Sequence, residues 1–431
     1  MATVVDYTDA LTDFIAASPT SYHAAKMMAR QLRDCGFERQ LETEPWDARP
    51  GGHYLVRDGA VVAWWVPEGA DASSGFRIVG THTDSPGFKL KPLPDILRHG
   101  WQSLGVEIYG GPLLNSWLDR DLGIAGRVID TEGTHHLVRT GAICRIPQLA
   151  IHLDRGVTTE GLLLDKQQHT APIVGLAGED IRVLDVIATQ AGLEDASAIS
   201  AHELYLYDTQ SPQRIGAKGD LYAAGRLDNL SSTFAALYAM RHLDQVDHHD
   251  VIVMAAFDHE EVGSATRSGA GGPLLNDVLQ RTAIALGAKR ERVYTMLARS
   301  FLLSCDAGHA VHPNYPGHHD PDNRPLLNAG VLLKVNAQQR YATDAVGTAV
   351  FHRSVSAAGT QSQTFVSNNA MPCGSTIGPI SATRLGITTV DVGVPLLSMH
   401  SARELAGTAD LYDLARIIGA FFRLETLGLR P

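Results

Sequence analysis

The sequence predicts an α/β protein whose βα rhythm is interrupted by a strand-rich segment. Three observations carry this expectation. Helical periodicity and short buried-strand runs such as Val251–Phe257 occur toward both ends of the chain. Between about Gly87 and Leu221 the pattern changes to short strand-like pieces punctuated by Gly, Pro and Asp. After Asp228 the βα rhythm resumes, so the economical architecture is one domain interrupted by another. The expected division is 1–86 with 222–431 as a discontinuous domain, and 87–221 as the insertion.

Tyr7–Ala17 and His23–Leu32 repeat apolar residues at three- and four-residue steps, and Gly36 stands where a helix terminator belongs. Tyr54–Val56, Val61–Val66 and Phe76–Val79 read as strands bounded by turn residues. Within the middle segment Val106–Tyr109, Ile124–Ile129 and His136–Val138 read the same way. Leu230, Phe234, Leu237 and Met240 mark a helix face, and Val278–Leu286 a second helix. Val251–Phe257, Phe301–Cys305, Val331–Val335 and Thr389–Val392 are expected strands, and Leu411–Leu427 a closing amphipathic helix. Pro316–Pro325 reads as a polar loop.

Composition narrows the class of function. In 431 residues, 44% apolar and 19% charged content excludes a coiled coil, a collagen-like repeat or a largely disordered chain. A net charge of −11 argues against a general nucleic-acid or anionic-membrane surface. The four cysteines lie far apart with no C-x-x-C spacing, which argues against a disulfide framework or a cysteine zinc knuckle. The first residues show no signal-peptide pattern, and Val251–Phe257, among the longest apolar runs, is too short to span a bilayer. A soluble cytoplasmic protein is the expectation.

Acidic and imidazole side chains fall where buried strands end. Phe76–Val79 leads to His82 and Asp84, and Val251–Phe257 runs into Asp258-His259-Glu260-Glu261. Phe301–Cys305 runs into Asp306 and His309, and Val394–Met399 into His400. In open α/β sheets ligands gather beyond the carboxyl ends of strands, so these groups can converge. Imidazole and carboxylate together suit a hydrolytic metal centre, and in an adjacent Glu pair one carboxylate can bind metal while the other handles a proton. Singly, each motif also has a plain structural reading: His82-x-Asp84 as a turn pair, Glu260-Glu261 as a charge run, Asp228 as a helix cap, His309 as a loop residue. Gly269-Ala270-Gly271-Gly272 reads as a turn, and Cys373 lacks the setting of a nucleophile.

The motifs taken together are more specific. Ser18-Pro19-Thr20, Gly80-Thr81-His82-Thr83-Asp84-Ser85-Pro86 and Arg226-Leu227-Asp228-Asn229-Leu230 stand in order. Asp258 to Ser264, Asp306 to Tyr315, Cys373 to Pro379 and Ser398-Met399-His400-Ser401 follow. This series resembles the aspartyl aminopeptidase family of dinuclear zinc exopeptidases, almost end to end. His259 stands where that family often has Asn.

The resemblance implies a zinc-exopeptidase-like α/β/α sandwich interrupted by a dimerisation domain. It implies two zinc ions per subunit: His82 and Asp306 on one, Glu261 and His400 on the other, with Asp228 bridging. Glu260 corresponds to the general base and Asp84 to the residue orienting His82. Lys334 corresponds to a cation facing an acidic substrate side chain, while His309 and Tyr341 match other substrate contacts. His152 corresponds to a residue reaching into the active site of a partner subunit, in a family that assembles dodecamers from dimers. The implied reaction removes N-terminal Asp or Glu from peptides with a free N-terminus. Two alternatives remain beside it: the same chemistry with a neutral, Leu-like preference, and a catalytically silent assembly protein. Retention of Glu260 with all five ligand positions argues against the silent reading.

Overall fold

The computed structural model describes residues 3–178 and 182–428. Its centre is a nine-stranded mixed sheet. In spatial order the strands are Glu38–Arg39, Gly51–Arg57, Ala60–Val66, Val251–Phe257, Phe76–His82, Phe301–Cys305, Thr388–Gly393, Val331–Val335 and Ser362–Val366. Val251–Phe257, Phe76–His82, Phe301–Cys305 and Thr388–Gly393 are mutually parallel neighbours. Apart from Thr388 at one end, these strands are buried along their whole length, as expected for the centre of a sheet covered on both faces.

Strand alternation sorts the side chains into two cores. Ile252, Met254 and Ala256 join one core with the helices Val4–Ala17, Ser21–Asp34, Leu227–Arg241, Ala345–Ala358 and Thr408–Arg423. Val251, Val253, Ala255 and Phe257 join the other, with Leu274–Ala285, Arg290–Ala298 and Ile377–Leu385. The result is an α/β/α sandwich. Leu227–Arg241 is buried on nearly every side, not only along the face marked by Leu230, Phe234, Leu237 and Met240.

Residues 87–208 build a separate six-stranded sheet in the order His135–Arg139, Leu122–Asp130, Ile199–Asp208, Gly87–Arg98, Trp101–Tyr109 and Ile173–Leu176, antiparallel throughout. Phe88, Leu104, Trp117, Ile124, Val128 and Leu204 form its own core, closed by the helix Val183–Ala191. Leu149, Ile151, Leu153 and Leu163 stand exposed on the same segment. A third, five-stranded sheet joins Gln213–Ile215, Leu221–Ala224, Glu404–Gly407, Pro395–Leu397 and Gly308–His309.

Some boundaries differ from the sequence expectation. The last helix runs Thr408–Arg423 instead of Leu411–Leu427, because buried Arg77 captures the Phe421 and Leu424 carbonyls where the helix ends. Pro316–Pro325 is irregular apart from one turn, Pro316–His318. Among the described residues no helix is long and apolar enough to cross a membrane.

Candidate metal centre

Three neighbouring parallel strands deliver donors to one edge of the central sheet. His82 is the last residue of its strand, Glu260 and Glu261 follow Val251–Phe257 through a turn, and Asp306 directly follows Phe301–Cys305. The turn is made at His259, whose φ of 65° is left-handed, a region where Asn and His are both enriched among non-glycine residues. Asp228 lies at the start of Leu227–Arg241, with non-helical angles and a cis peptide to Asn229. The N-cap position is Arg226, which makes no side-chain cap bond, and the Asp228 carboxylate accepts none of the helix's N–H groups, so the capping role considered for Asp228 does not hold. His400 arrives by another route than the strand-end argument expects. It follows Pro395–Leu397 of the small third sheet, because the chain leaves the central sheet after Gly393.

The donors form two groups that share Asp228. His82, Asp228 and Asp306 offer atoms within 4.8 Å of one another, and so do Asp228, Glu261 and His400. His82 Nε2 lies 3.4 Å from Asp228 Oδ1 and 3.4 Å from Asp306 Oδ1. His400 Nε2 lies 3.2 Å from Asp228 Oδ2 and 3.6 Å from Glu261 Oε2. Glu260 sits in a further such group with His82 and Glu261. Asp228 Oδ1 and Glu261 Oε1 are buried without a hydrogen-bond donor. Unpaired buried carboxylate oxygens are costly, and a cation would satisfy both. Imidazole nitrogen with carboxylate oxygen is a donor set that suits zinc.

A shell of hydrogen bonds orients these donors. His82 Nδ1 is 3.4 Å from Asp84 Oδ1 and 3.1 Å from the Asp84 carbonyl. The two Asp84 carboxylate oxygens accept the backbone N–H groups of Glu260 (3.0 Å) and Glu261 (3.1 Å). The Tyr109 hydroxyl also donates to Asp84, at 2.8 Å. Buried Glu404 accepts the backbone N–H groups of Asp228 (3.1 Å) and His400 (2.8 Å). The Gly111 carbonyl faces His400 Nδ1 at 3.1 Å. Asp84 and Glu404 thus each clamp two donor-bearing segments.

The electrostatics of the metal-free cluster reflect crowding. Burial, reinforced by Asp306, Asp228 and Asp84, pushes Glu260 up to about 7 against the opposing pull of His82. Burial and Asp228 likewise raise Glu261. Burial disfavours the charged form of His400, yet its hydrogen bond to Asp228 outweighs that and holds it at about 9. A bound cation reverses the preference of the carboxyls for their protons.

Beside the donors lies a second group. Lys334 is almost wholly buried, and its ammonium donates to the carbonyls of Asp306 (3.0 Å) and Ala307 (2.9 Å). It also stands 3.5 Å from Asp306 Oδ2 and 4.9 Å from the centre of the Tyr341 ring. Phe365 joins Tyr341 to His309, with ring centres 6.2 and 6.0 Å away. The sequence-predicted residues Lys334, Tyr341 and His309 therefore come together. His152 does not join them; it is exposed on the segment that carries Leu149, Ile151 and Leu153. Tyr109, Gly111, Phe365 and Glu404 escaped the sequence reading. Tyr109 ends an expected strand, but nothing in the pattern marks any of the four as a neighbour of the donors.

Known proteins agree with this architecture. A sequence profile described as Aminopeptidase I zinc metalloprotease (M18) matches residues 14–422. A probable M18 family aminopeptidase 2 of Streptomyces coelicolor is 50% identical over 423 residues, covering 97% of this chain and 98% of the relative. A cryo-EM structure of the Ape4 and Nbr1 complex superposes with a TM-score of 0.93 at 35% identity, covering 97% of this chain and 86% of that one. The S. cerevisiae mApe1 dodecamer superposes with a TM-score of 0.85 at 30% identity, covering 97% and 96%. The chain belongs to the M18 family of zinc metallo-aminopeptidases.

Proposed function

We propose that the protein is a dinuclear zinc aminopeptidase that prefers acidic N-terminal residues. The observation that carries the dinuclear reading is Asp228, shared between two His-and-carboxylate donor groups beside a spare carboxylate, Glu260. His82 and Asp306 would hold one ion, Glu261 and His400 the other, and Asp228 both. Zinc supplies Lewis acidity there, making water acidic enough to react near neutral pH and polarising the scissile carbonyl. Glu260 takes the proton that the attacking water gives up, holds it at its carboxylate, and returns it to the leaving amine. Asp84 fixes the His82 ring and, through its bonds to both amides, the directions of Glu260 and Glu261. An exopeptidase site must accept the free α-amino group, so peptides with a blocked N-terminus are expected to be poor substrates.

Lys334 supports the acidic preference, since it is a buried cation grouped with Tyr341 and His309 beside Asp306. One observation favours a neutral preference instead: the ammonium already donates to two carbonyls. Assembly into a homo-oligomer, a dodecamer built from dimers through 87–221, is part of the same proposal. It is supported by the exposed Leu93, Leu97, Leu149, Ile151, Leu153 and Leu163 in that segment and by the dodecameric relative. Apolar exposure of this kind suits a contact with a second copy. Cytoplasmic residence, with neither nucleic acid nor membrane as partner, completes the reading.

The test is a panel of N-terminal Asp-, Glu-, Leu- and Ala-anilides, assayed after chelation and again after graded return of zinc. Two equivalents of zinc restoring activity, with Asp and Glu turned over fastest, is the expected result. Restoration by one equivalent would remove the dinuclear reading, and faster turnover of Leu would remove the acidic one.

A further inference from the structure

One short stretch, the end of the strand Trp101–Tyr109 and the loop after it, contacts His400 directly and reaches His82 through Asp84, each at the ring nitrogen turned away from the other donors. Tyr109 is the last residue of Trp101–Tyr109, and its hydroxyl donates to Asp84 Oδ2 at 2.8 Å. The other Asp84 oxygen lies 3.4 Å from His82 Nδ1. Two residues on, the Gly111 carbonyl lies 3.1 Å from His400 Nδ1. That bond keeps a proton on Nδ1, so Nε2, facing Asp228 and Glu261, is the nitrogen that would bind a cation on giving up its own proton. Leu113 N–H donates to the His400 carbonyl at 2.9 Å, and Ser116 Oγ accepts Ala402 N–H at 2.9 Å. Between these contacts Gly110 turns with φ of 66°, and a Cβ there would come within 3.0 Å of the Glu261 side chain. The stretch therefore touches Asp84, Glu261 and His400 from outside the domain that carries them.

We infer that Tyr109–Ser116 is a positioning strap for the metal centre, with the Tyr109 hydroxyl as its hold on Asp84. It makes the orientation of both imidazole donors depend on the inserted sheet. This inference rests on the zinc centre proposed above. Tyr109 is a positioning residue, since it acts through Asp84. Outer hydrogen-bond partners of this kind set ring direction and donor basicity, and losing one typically costs roughly 10- to 100-fold in metal affinity or activity. The competing account is that Tyr109 merely packs: its ring lies edge-on to Tyr205, with centres 5.5 Å apart.

The two accounts separate with Tyr109→Phe and Tyr205→Phe in the full chain. Each protein is stripped of metal, titrated with zinc against a chromophoric chelator, and loaded with cobalt for its visible spectrum. Tyr109→Phe should bind zinc roughly 10-fold or more weakly, show an altered cobalt spectrum, and lose kcat with little change in KM. Tyr205→Phe should keep wild-type affinity, and the metal-free proteins should melt alike. Gly110→Ala crowds Glu261 instead of Asp84 and should also weaken zinc binding, which serves if Tyr109→Phe folds poorly. Wild-type affinity, spectrum and kcat in Tyr109→Phe would overturn the inference, as would an equal loss in Tyr205→Phe. A wild-type protein that binds no zinc would overturn the dinuclear reading and this inference with it.

Discussion

Replacing Lys334 with Leu separates its two possible duties, holding Asp306 in place and reading the substrate. Leu keeps an apolar stem but removes an ammonium that donates to the Asp306 and Ala307 carbonyls at 3.0 and 2.9 Å and sits 3.5 Å from Asp306 Oδ2. A buried acceptor left without its donor costs about 1–3 kcal/mol, so two of them predict a loss of about 2–6 kcal/mol in the stability of the metal-free fold. Specificity carries a second magnitude. If the ammonium also pairs with a substrate carboxylate, deleting one partner of a desolvated charge pair costs about 2–5 kcal/mol for acidic substrates. That is a fall of roughly 30- to several thousand-fold in the Asp-to-Leu ratio of kcat/KM. The assay is kcat/KM on Asp- and Leu-anilides at saturating zinc, alongside denaturant unfolding of the metal-free protein. A large stability loss with an unchanged ratio refutes the acidic assignment and leaves Lys334 as a strut for Asp306. Unchanged stability refutes the reasoning from its hydrogen bonds.

Glu260→Gln should retain zinc yet lower kcat by at least about 10²-fold, the scale of a lost general base, as metal analysis and steady-state kinetics would show. Near-normal turnover with full metal content would take Glu260 out of the mechanism. His152→Phe and Glu260→Gln subunits, each inactive alone, should regain activity when dissociated, mixed and reassembled, because a mixed pair then holds one complete site. Mixed dimers confirmed by mass but without turnover would mean that His152 acts within its own chain, or only structurally. Burial, with Arg139, Lys26 and Arg226 nearby, lowers His23 from an ordinary 6.5 to about 4. The folded state then binds fewer protons than the unfolded state between those values, so stability should fall as pH drops from about 6.5 toward about 4, by at most about 3 kcal/mol. His23→Gln should flatten that slope in melting curves of the metal-free protein, and an unaltered slope would assign it to other groups.

What could be read from the sequence followed burial and local order. Val251–Phe257 and Phe301–Cys305 declare themselves because strands covered on both faces are apolar throughout. Their parallel pairing with Phe76–His82 then puts His82, Glu260, Glu261 and Asp306 at one edge. Ala345–Ala358 and Ile377–Leu385 escaped notice because Ala, Gly, Ser and Thr supply much of both, leaving weak apolar periodicity. The apolar approach to His400 does contain a strand, Pro395–Leu397, but nothing local distinguishes a strand of the third sheet from one of the first. Contacts such as Glu404 with Asp228, or Gly111 with His400, join segments more than a hundred residues apart. They exist only once the chain has folded. For Lys334 the residue was identifiable, but its partners are main-chain carbonyls, which leave no mark in a sequence.

With zinc held as proposed, the cluster of Asp84, Asp228, Glu260, Glu261 and Asp306 around two imidazoles would also link heat tolerance to zinc supply. An unfolded chain scatters these groups, so zinc favours the folded state by mass action. Once free zinc exceeds the dissociation constant of a site, each further tenfold rise stabilises the fold by about 1.4 kcal/mol per ion. The temperature at which the enzyme is lost would then be a property of protein and metal buffer together. Two preparations of one sequence, equilibrated at different free zinc, would inactivate at different temperatures without any change in the polypeptide.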